Sequence, residues 1–184
     1  MSGTRLLRRV AASLTCFGVA SATAATFAGV QLEPAVRVDG QALALASCGV
    51  RETLWIDHYV AALYLPPGSA PAAARDERKS KVVRLHIVDS LFLPARIPGK
   101  WRRALERELP PGPMQRLQQV YRRLREGDAL TISYAPRSGL AMQLNGAEVL
   151  RLGGHDAIDS ILEAWAEDLP VEEKLRRLTS EHPC

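Results

Sequence analysis

The sequence lacks the motifs by which nucleotide-binding proteins, serine hydrolases and zinc proteases are most easily identified. None of the segments G-x-x-x-x-G-K-[ST], G-x-G-x-x-G, G-x-S-x-G or H-E-x-x-H occurs in its 184 residues, so a phosphate-binding loop, a nucleophile elbow or a helical pair of zinc histidines is not expected. The four histidines are dispersed, and no Cys-x-x-Cys pair is present. We therefore expect neither a metal nor a cofactor.

The chain also lacks an apolar run long enough to cross a membrane comfortably. The apolar and small-residue stretch near the start, Val10 to Ala22, carries no charge and is too short for about 30 Å of hydrocarbon. It follows three arginines (Arg5, Arg8 and Arg9) and ends in small residues, which is typical of a secretion signal. We expect cleavage near Ala22 to Ala25, with residues 1–25 as the signal peptide, and a mature protein that is periplasmic or secreted. An anchor that stays uncleaved, or is lipidated at Cys16, is the alternative.

An excess of positive charge is lacking once this leader is set aside. The chain has 24 lysines and arginines, and removal of the three leader arginines leaves 21 against 20 acidic residues. A balance of about +1 gives no reason to expect nucleic acid as a partner. The mature part, residues 26–184, is long enough for one domain with a proper core.

Cysteine is scarce, because only Cys48 and Cys184 remain in the mature part. An oxidising compartment permits a disulfide between them. Cys184 is the last residue, however, and chain ends are often loose. The sequence therefore leaves open whether the two cysteines pair or stay as thiols.

The mature part alternates strand patterns with a helical middle. Asp39-Gly40 and Asn145-Gly146 are typical of tight hairpin turns. A long β-branched and aromatic run predicts a central strand that ends at Pro66. The predicted strands are one short strand from Phe27 to Leu32, Val36 to Val38, Gln41 to Ala46, Trp55 to Leu65, Lys81 to Asp89, Leu130 to Tyr134, Leu140 to Leu144 and Ala147 to Leu152.

Helical periodicity marks the middle and the end of the chain. The predicted helices are Pro94 to Leu109, Gly112 to Arg125, Asp156 to Glu167 and Val171 to Thr179. The strands are not interleaved with crossover helices, which disfavours a doubly wound nucleotide-binding fold. We predict an α+β domain with a large antiparallel sheet. The neighbours His155 and Asp156 do not indicate a catalytic pair, since adjacent residues at a helix start point in different directions; Asp156 is better explained as a helix N-terminal carboxylate.

One set of segments, in its order and spacing, resembles the bacterial chalcone isomerase-like family. The family has a G-[IV]-R turn, here Gly49-Val50-Arg51, before a strand that reads Y-V-x-x-L-Y-L, here Tyr59 to Leu65. The matching later segments are Trp101-Arg102-x-Ala104-Leu105, Gly127-Asp128-x-Leu130-Thr131-Ile132-x-Tyr134, Leu144-Asn145-Gly146 and the helix with Trp165. The resemblance extends from about Thr26 to Leu178.

The resemblance implies an open-faced β-sandwich, in which helices pack on a large antiparallel sheet and a ligand cleft lies between them. Plant members of the family cyclise chalcones, and related plastid members bind fatty acids. In the family, the arginine that aligns with Arg51 reaches the anionic oxygen of the ligand. A guanidinium suits a phenolate or a carboxylate equally well, because it stays charged and can donate two parallel hydrogen bonds.

The resemblance also places Tyr59 and Tyr64 on the strand that lines the cleft. They are five residues apart, so a regular strand puts them on opposite faces and only one can easily face a ligand. Tyr59 is the better candidate. The candidate ligand-binding residues are thus Arg51, Tyr59 and Tyr64.

Departures from the family pattern disfavour the cyclisation reaction. The threonine of the true isomerases aligns with Val60, a second small polar residue aligns with Ala164, and the helical middle does not match the enzyme's tyrosine and asparagine. The leading interpretation is a non-catalytic binder of a small amphipathic molecule such as a fatty acid. The alternatives are an isomerase with a chalcone-like or other substrate, and a structural or interaction protein without a ligand.

Overall fold

The fold is a seven-stranded antiparallel sheet with helices on one face, in a computed structural model that describes residues 25–53, 56–90, 93, 96–97, 99–167 and 184. The strands are β1 (Ala25–Phe27), β2 (Val30–Leu32), β3 (Ala35–Val38), β4 (Gln41–Thr53), β5 (Ile56–Leu65), β6 (Lys81–Ile87), β7 (Ala129–Ala135), β8 (Gly139–Leu144) and β9 (Ala147–Leu152). The α-helices are α1 (Gly99–Glu108), α2 (Pro111–Tyr121) and α3 (Asp156–Glu167), and a short 3-10 helix spans Pro71–Arg75. The predicted helix Val171 to Thr179 and the predicted signal peptide up to residue 24 lie outside the described residues.

Strands β3 to β9 follow one another across the sheet in chain order, and β1 and β2 form a separate hairpin. Two of these strand pairs are joined by the tight turns that the sequence predicts. Asp39-Gly40 joins β3 to β4 and Asn145-Gly146 joins β8 to β9, each with positive φ at both residues. Such backbone angles match the natural twist of paired strands, so short-range chemistry alone accounts for these two hairpins.

The sheet separates two apolar cores, because successive side chains of β5 point to opposite faces. Ala61, Leu63 and Leu65 pack with residues of α1, α2 and α3 on one face, which we call the helix face. Val60, Ala62 and Tyr64 pack on the other with residues of β2 to β4. The sheet curls toward that second face, so that β3 contacts β6 and β7, and we call it the concave face. The predicted open-faced antiparallel architecture is confirmed.

Several predicted boundaries differ from the structure. The segment from Phe27 to Leu32 is a hairpin and not one strand, because Ala28 and Gly29 adopt positive φ and reverse the chain. Gly49-Val50-Arg51 lies inside the 13-residue strand β4 and not in a turn. The first helix begins at Gly99 instead of Pro94. In the described part of the chain, no helix is long and apolar enough to cross a bilayer.

A disulfide joins Cys48 in β4 to Cys184 at the chain terminus, with 5.6 Å between the two Cα atoms. Both residues contact the core of the concave face. The bridge spans 136 residues of sequence, so it removes a large amount of conformational freedom from the unfolded chain. The chain-entropy relation gives a stabilisation of about 5 kcal/mol for a loop of this length.

We expect the substitution of Cys184 by serine to lower the free energy of unfolding by up to about 5 kcal/mol. Urea denaturation of the oxidised protein and of Cys184→Ser measures the difference. Reductant should destabilise the parent protein and leave Cys184→Ser unchanged. Equal stability of the two oxidised proteins would contradict the bridge.

Candidate functional site

Arg51 and Tyr59 are brought together by the pairing of β4 with β5. They occupy directly opposite positions in the register, and directly opposite side chains of an antiparallel pair lie on the same face with Cβ atoms about 4.5–5.5 Å apart. The neighbouring pair is Gly49 opposite Ala61, and Ala61 belongs to the core of the helix face. Arg51 and Tyr59 therefore lie on the helix face, where the family resemblance implies a cleft.

Both side chains are partly buried, and the ring of Tyr59 packs against the core of the helix face. On its other side Tyr59 is opposite Ile87 of β6, a residue that is 4% exposed. A guanidinium and a phenol thus stand side by side at the margin of an apolar core. This arrangement suits a ligand that has an anionic group attached to an apolar body.

The irregular pairing between β4 and β5 affects this end of the site. The register shifts between Arg51 and Glu52, because β5 carries one more residue, His58, than β4 opposite it. Such bulges redirect side chains locally and are frequent beside functional sites. The sequence gives no signal for this bulge, since no glycine or proline marks it.

Tyr64 lies on the concave face, opposite to Arg51 and Tyr59, as the spacing of the two tyrosines predicts. It is fully buried, and its hydroxyl has no hydrogen-bond partner among the described residues. Burial raises the pKa of the hydroxyl, and nearby Arg84 offsets part of this effect. The structure therefore does not bring Tyr64 into the same cleft as the other two candidates.

The threonine that the resemblance to the true isomerases implies on β5 is absent. Val60, the residue aligned with the family threonine, is fully buried in the core of the concave face. Ala61 is its neighbour on the helix face and also lacks a polar group. Within the run from Tyr59 to Ala61, Tyr59 is therefore the residue that offers a hydroxyl on the side of Arg51.

A second polar cluster, which sequence reasoning missed, joins β6 to α3. Lys81 Nζ lies 2.7 Å from His155 Nε2, and His155 Nδ1 lies 3.2 Å from Asp159 Oδ2. Because a lysine ammonium only donates, His155 accepts at Nε2 and donates from Nδ1. Lys81 Nζ also donates to the carbonyl of Asp76 at 3.0 Å. His155 therefore pairs with Asp159, one helical turn away, and not with its neighbour Asp156.

Lys81 is fully buried at the start of β6. Its Nζ lies 5.1 Å from the ring centroid of Tyr134, whose hydroxyl donates to the Glu77 carbonyl at 3.0 Å. The Tyr134 ring in turn meets His155 edge-on at 4.8 Å between centroids. The cluster fastens the helix layer to the sheet, and we assign it a structural role.

Among the described residues, no group of three or more histidine, cysteine, aspartate or glutamate side chains is arranged to hold a metal ion.

Comparisons with known proteins agree with this architecture. The family model described as "Chalcone isomerase-like" matches residues 24–178. No curated protein sequence matches the chain. Among solved structures, a fatty-acid binding protein of Arabidopsis thaliana superposes with a TM-score of 0.51 at 14% identity, over 82% of this chain and 91% of that one. At this identity, the superposition shows a shared fold.

The buried lysine makes stability depend on pH. Burial lowers the pKa of Lys81 from its ordinary value of 10.5, and Asp159 offsets part of that effect. Between the lowered pKa and 10.5, the unfolded chain binds more protons at this lysine than the folded protein does. The contribution of Lys81 to the free energy of unfolding therefore rises with pH across that window.

We expect the stability difference between the parent protein and Lys81→Met to grow in favour of the parent from pH 7 to pH 10.5. Urea denaturation of both proteins at a series of pH values measures this difference, in which the contributions of the other titrating groups cancel. Lys79→Met, two residues away and partly exposed, is the matched control for the loss of one lysine charge from this segment. If the stability difference between the parent protein and Lys81→Met did not change with pH, the lowered pKa of Lys81 would be refuted.

Proposed function

The chain belongs to the chalcone isomerase-like family, and we propose that it is a non-catalytic member whose helix face binds a small amphipathic molecule, with a fatty acid as the best candidate. The observation that carries this proposal is the direct pairing of Arg51 with Tyr59 beside an apolar core. The arginine would hold the carboxylate, the tyrosine hydroxyl would donate a further hydrogen bond to it, and the apolar chain would pack between sheet and helices.

The physical chemistry of the pair favours a carboxylate. A hydrogen bond to a charged group contributes about 1.5–3 kcal/mol, which corresponds to roughly ten- to a hundredfold in affinity. Much of the remaining affinity would come from burial of methylene groups, at about 0.8 kcal/mol each. A ligand with only a charged head or only an apolar tail would lose one of these two contributions. The shared fold of the Arabidopsis fatty-acid binding protein supports the same ligand class.

The residues around Arg51 favour binding over cyclisation. Conjugate addition requires a proton carrier and donors aimed at the charge that develops in the transition state. In the run that aligns with the isomerase threonine, Val60 faces the other core and Ala61 has no polar group. Arg51 and Tyr59 can hold an anion, but they do not reproduce that network.

We also propose that the protein works outside the cytoplasm, in the periplasm or after secretion. The leader with Arg5, Arg8 and Arg9 followed by an uncharged stretch supports this. The disulfide between Cys48 and Cys184 is consistent with it, since disulfides persist mainly in oxidising compartments.

We expect Arg51→Gln to weaken the binding of dodecanoate at least about tenfold and Tyr59→Phe to weaken it a few-fold. Isothermal titration calorimetry measures both. Dodecanol, which has the same chain without the carboxylate, should bind the parent protein and Arg51→Gln equally. Native mass spectrometry of the protein purified from its own compartment should show a fatty-acid-sized mass that Arg51→Gln loses.

Two control variants make this test specific. Arg75→Gln removes an exposed arginine, and Tyr64→Phe removes a hydroxyl on the concave face; neither should change dodecanoate affinity. If the parent protein does not bind dodecanoate, the proposal is wrong. Turnover of a chalcone by the parent protein, lost in Arg51→Gln, would replace it with the isomerase function.

A further inference from the structure

The concave face contains a polar groove that the proposed ligand site does not use. It lies between the edge strand β3 and the strands β6 to β9, and it encloses about 210 Å³. This is below the range of about 300–1,000 Å³ that is usual for drug-sized ligands. The groove therefore suits a molecule smaller than a fatty acid.

The curl of the sheet forms this groove, and a hydrogen bond between two turns stabilises one end of it. Ser138, in the turn between β7 and β8, donates to Asp39 Oδ2 at 2.6 Å, and Asp39 is in the turn between β3 and β4. The two hairpin turns are thus joined across the opening of the curl. Both residues line the groove, so its end is defined by a specific contact.

Positive charge and hydroxyl groups dominate the lining. Three arginines line the groove, Arg37, Arg84 and Arg151, against one carboxylate, Asp39. Thr131 and Ser133 of β7 add hydroxyls, and Gln143 of β8 adds an amide. Arg37 Nη1 also donates to the Gly40 carbonyl at 3.1 Å, and Ser133 Oγ donates to the Ala141 carbonyl at 3.4 Å. Guanidinium and hydroxyl groups are the donors by which proteins hold carboxylates and phosphates.

Arg84 is the most buried of the three arginines. Its Nε donates to Thr131 Oγ1 at 3.3 Å, and its guanidinium carbon lies 6.0 Å from the centroid of the Tyr64 ring. Its side chain is only 20% exposed, whereas Glu33, which meets Arg84 Nη1 at 3.0 Å, is 60% exposed. The partly buried guanidinium of Arg84 is thus paired with a carboxylate, that of Glu33, which is mostly exposed to solvent.

Two buried polar atoms around Arg84 have no hydrogen-bond partner among the described residues. They are the Tyr64 hydroxyl and His86 Nε2. Tyr64 belongs to the core of the concave face, and His86 is two residues from Arg84 on β6, which puts it on the same face. Unsatisfied buried polar groups are rare in native proteins. Tyr64 and His86 are not among the described residues that line the groove, so the two atoms mark a polar region around Arg84 whose hydrogen bonds are incomplete and are not themselves contacts of the ligand.

We propose that this groove is a second binding site, for a small molecule that carries a carboxylate or a phosphate, held by Arg84 together with Arg37 and Arg151. The oxyanion takes the place of the Glu33 carboxylate on Arg84. The site is independent of the proposed fatty-acid site, because Arg51 and Tyr59 lie on the other face of the sheet.

The internal partners of these arginines are weak enough to be replaced. Arg151 pairs with Glu148, and the two side chains are 52% and 44% exposed. Exposed ion pairs contribute only about 0–1 kcal/mol. A ligand oxyanion that meets two or three guanidinium groups at once gains more than either glutamate loses, so Glu33 and Glu148 compete with the ligand without blocking it.

Calorimetric titration of the full chain at low ionic strength tests the proposal, with inorganic phosphate and succinate as the two probes. We expect saturable binding of at least one probe, and the preferred probe identifies the oxyanion. Arg84→Gln should weaken that binding at least about tenfold. Glu33→Gln, which removes the competing carboxylate, should strengthen it a few-fold. Added salt should weaken it.

Further variants keep the test decisive. Arg151→Gln alters an exposed side chain, so it should fold normally and weaken binding a few-fold even if Arg84→Gln proves unstable. Arg75→Gln is the control for general charge effects, and Arg51→Gln, the variant that tests the fatty-acid site, should leave phosphate or succinate binding unchanged. The proposal is overturned if neither probe gives saturable heat. It also fails if Arg84→Gln and Arg151→Gln both bind like the parent.

Discussion

The strict alternation of side chains along β5 is the constraint on which the rest of the structure depends. From Val60 to Leu65 every residue is buried, with Ala61, Leu63 and Leu65 in the helix-face core and Val60, Ala62 and Tyr64 in the other. A slip by one residue would exchange the two sets. It would place the Tyr64 hydroxyl under the helices, so the register of this strand is fixed from both sides.

That constraint gives the two faces different chemistry. On the helix face, the pairing of β4 with β5 sets Arg51 beside Tyr59 at the margin of an apolar core. On the concave face, β6 presents Arg84 beside the buried ring of Tyr64. The sheet lies between these two groups of residues. A ligand on one face therefore need not compete with a ligand on the other, and each arginine can be tested by itself.

A polar cluster and a disulfide attach the outer parts of the molecule to the sheet. The Lys81–His155–Asp159 cluster ties α3 to the start of β6, and the Cys48–Cys184 disulfide ties the chain terminus to β4. A buried lysine is costly unless its hydrogen bonds are made, and Lys81 makes them to His155 and to the Asp76 carbonyl. These hydrogen bonds therefore fix the position of α3 relative to the start of β6.

Local chemistry alone determined the hairpins at Asp39-Gly40 and Asn145-Gly146, the central strand that ends at Leu65, and the separation of Tyr59 from Tyr64. Each depends on a turn residue or on the alternation of side chains along a strand, and either signal is contained within a few residues of sequence. Only the tertiary structure decided which side chains meet across the chain: Arg51 with Tyr59, Lys81 with His155, Cys48 with Cys184, and the three arginines of the groove. These contacts depend on strand register, a bulge and the curl of the sheet, which arise from packing over the whole domain and leave no local mark in the sequence.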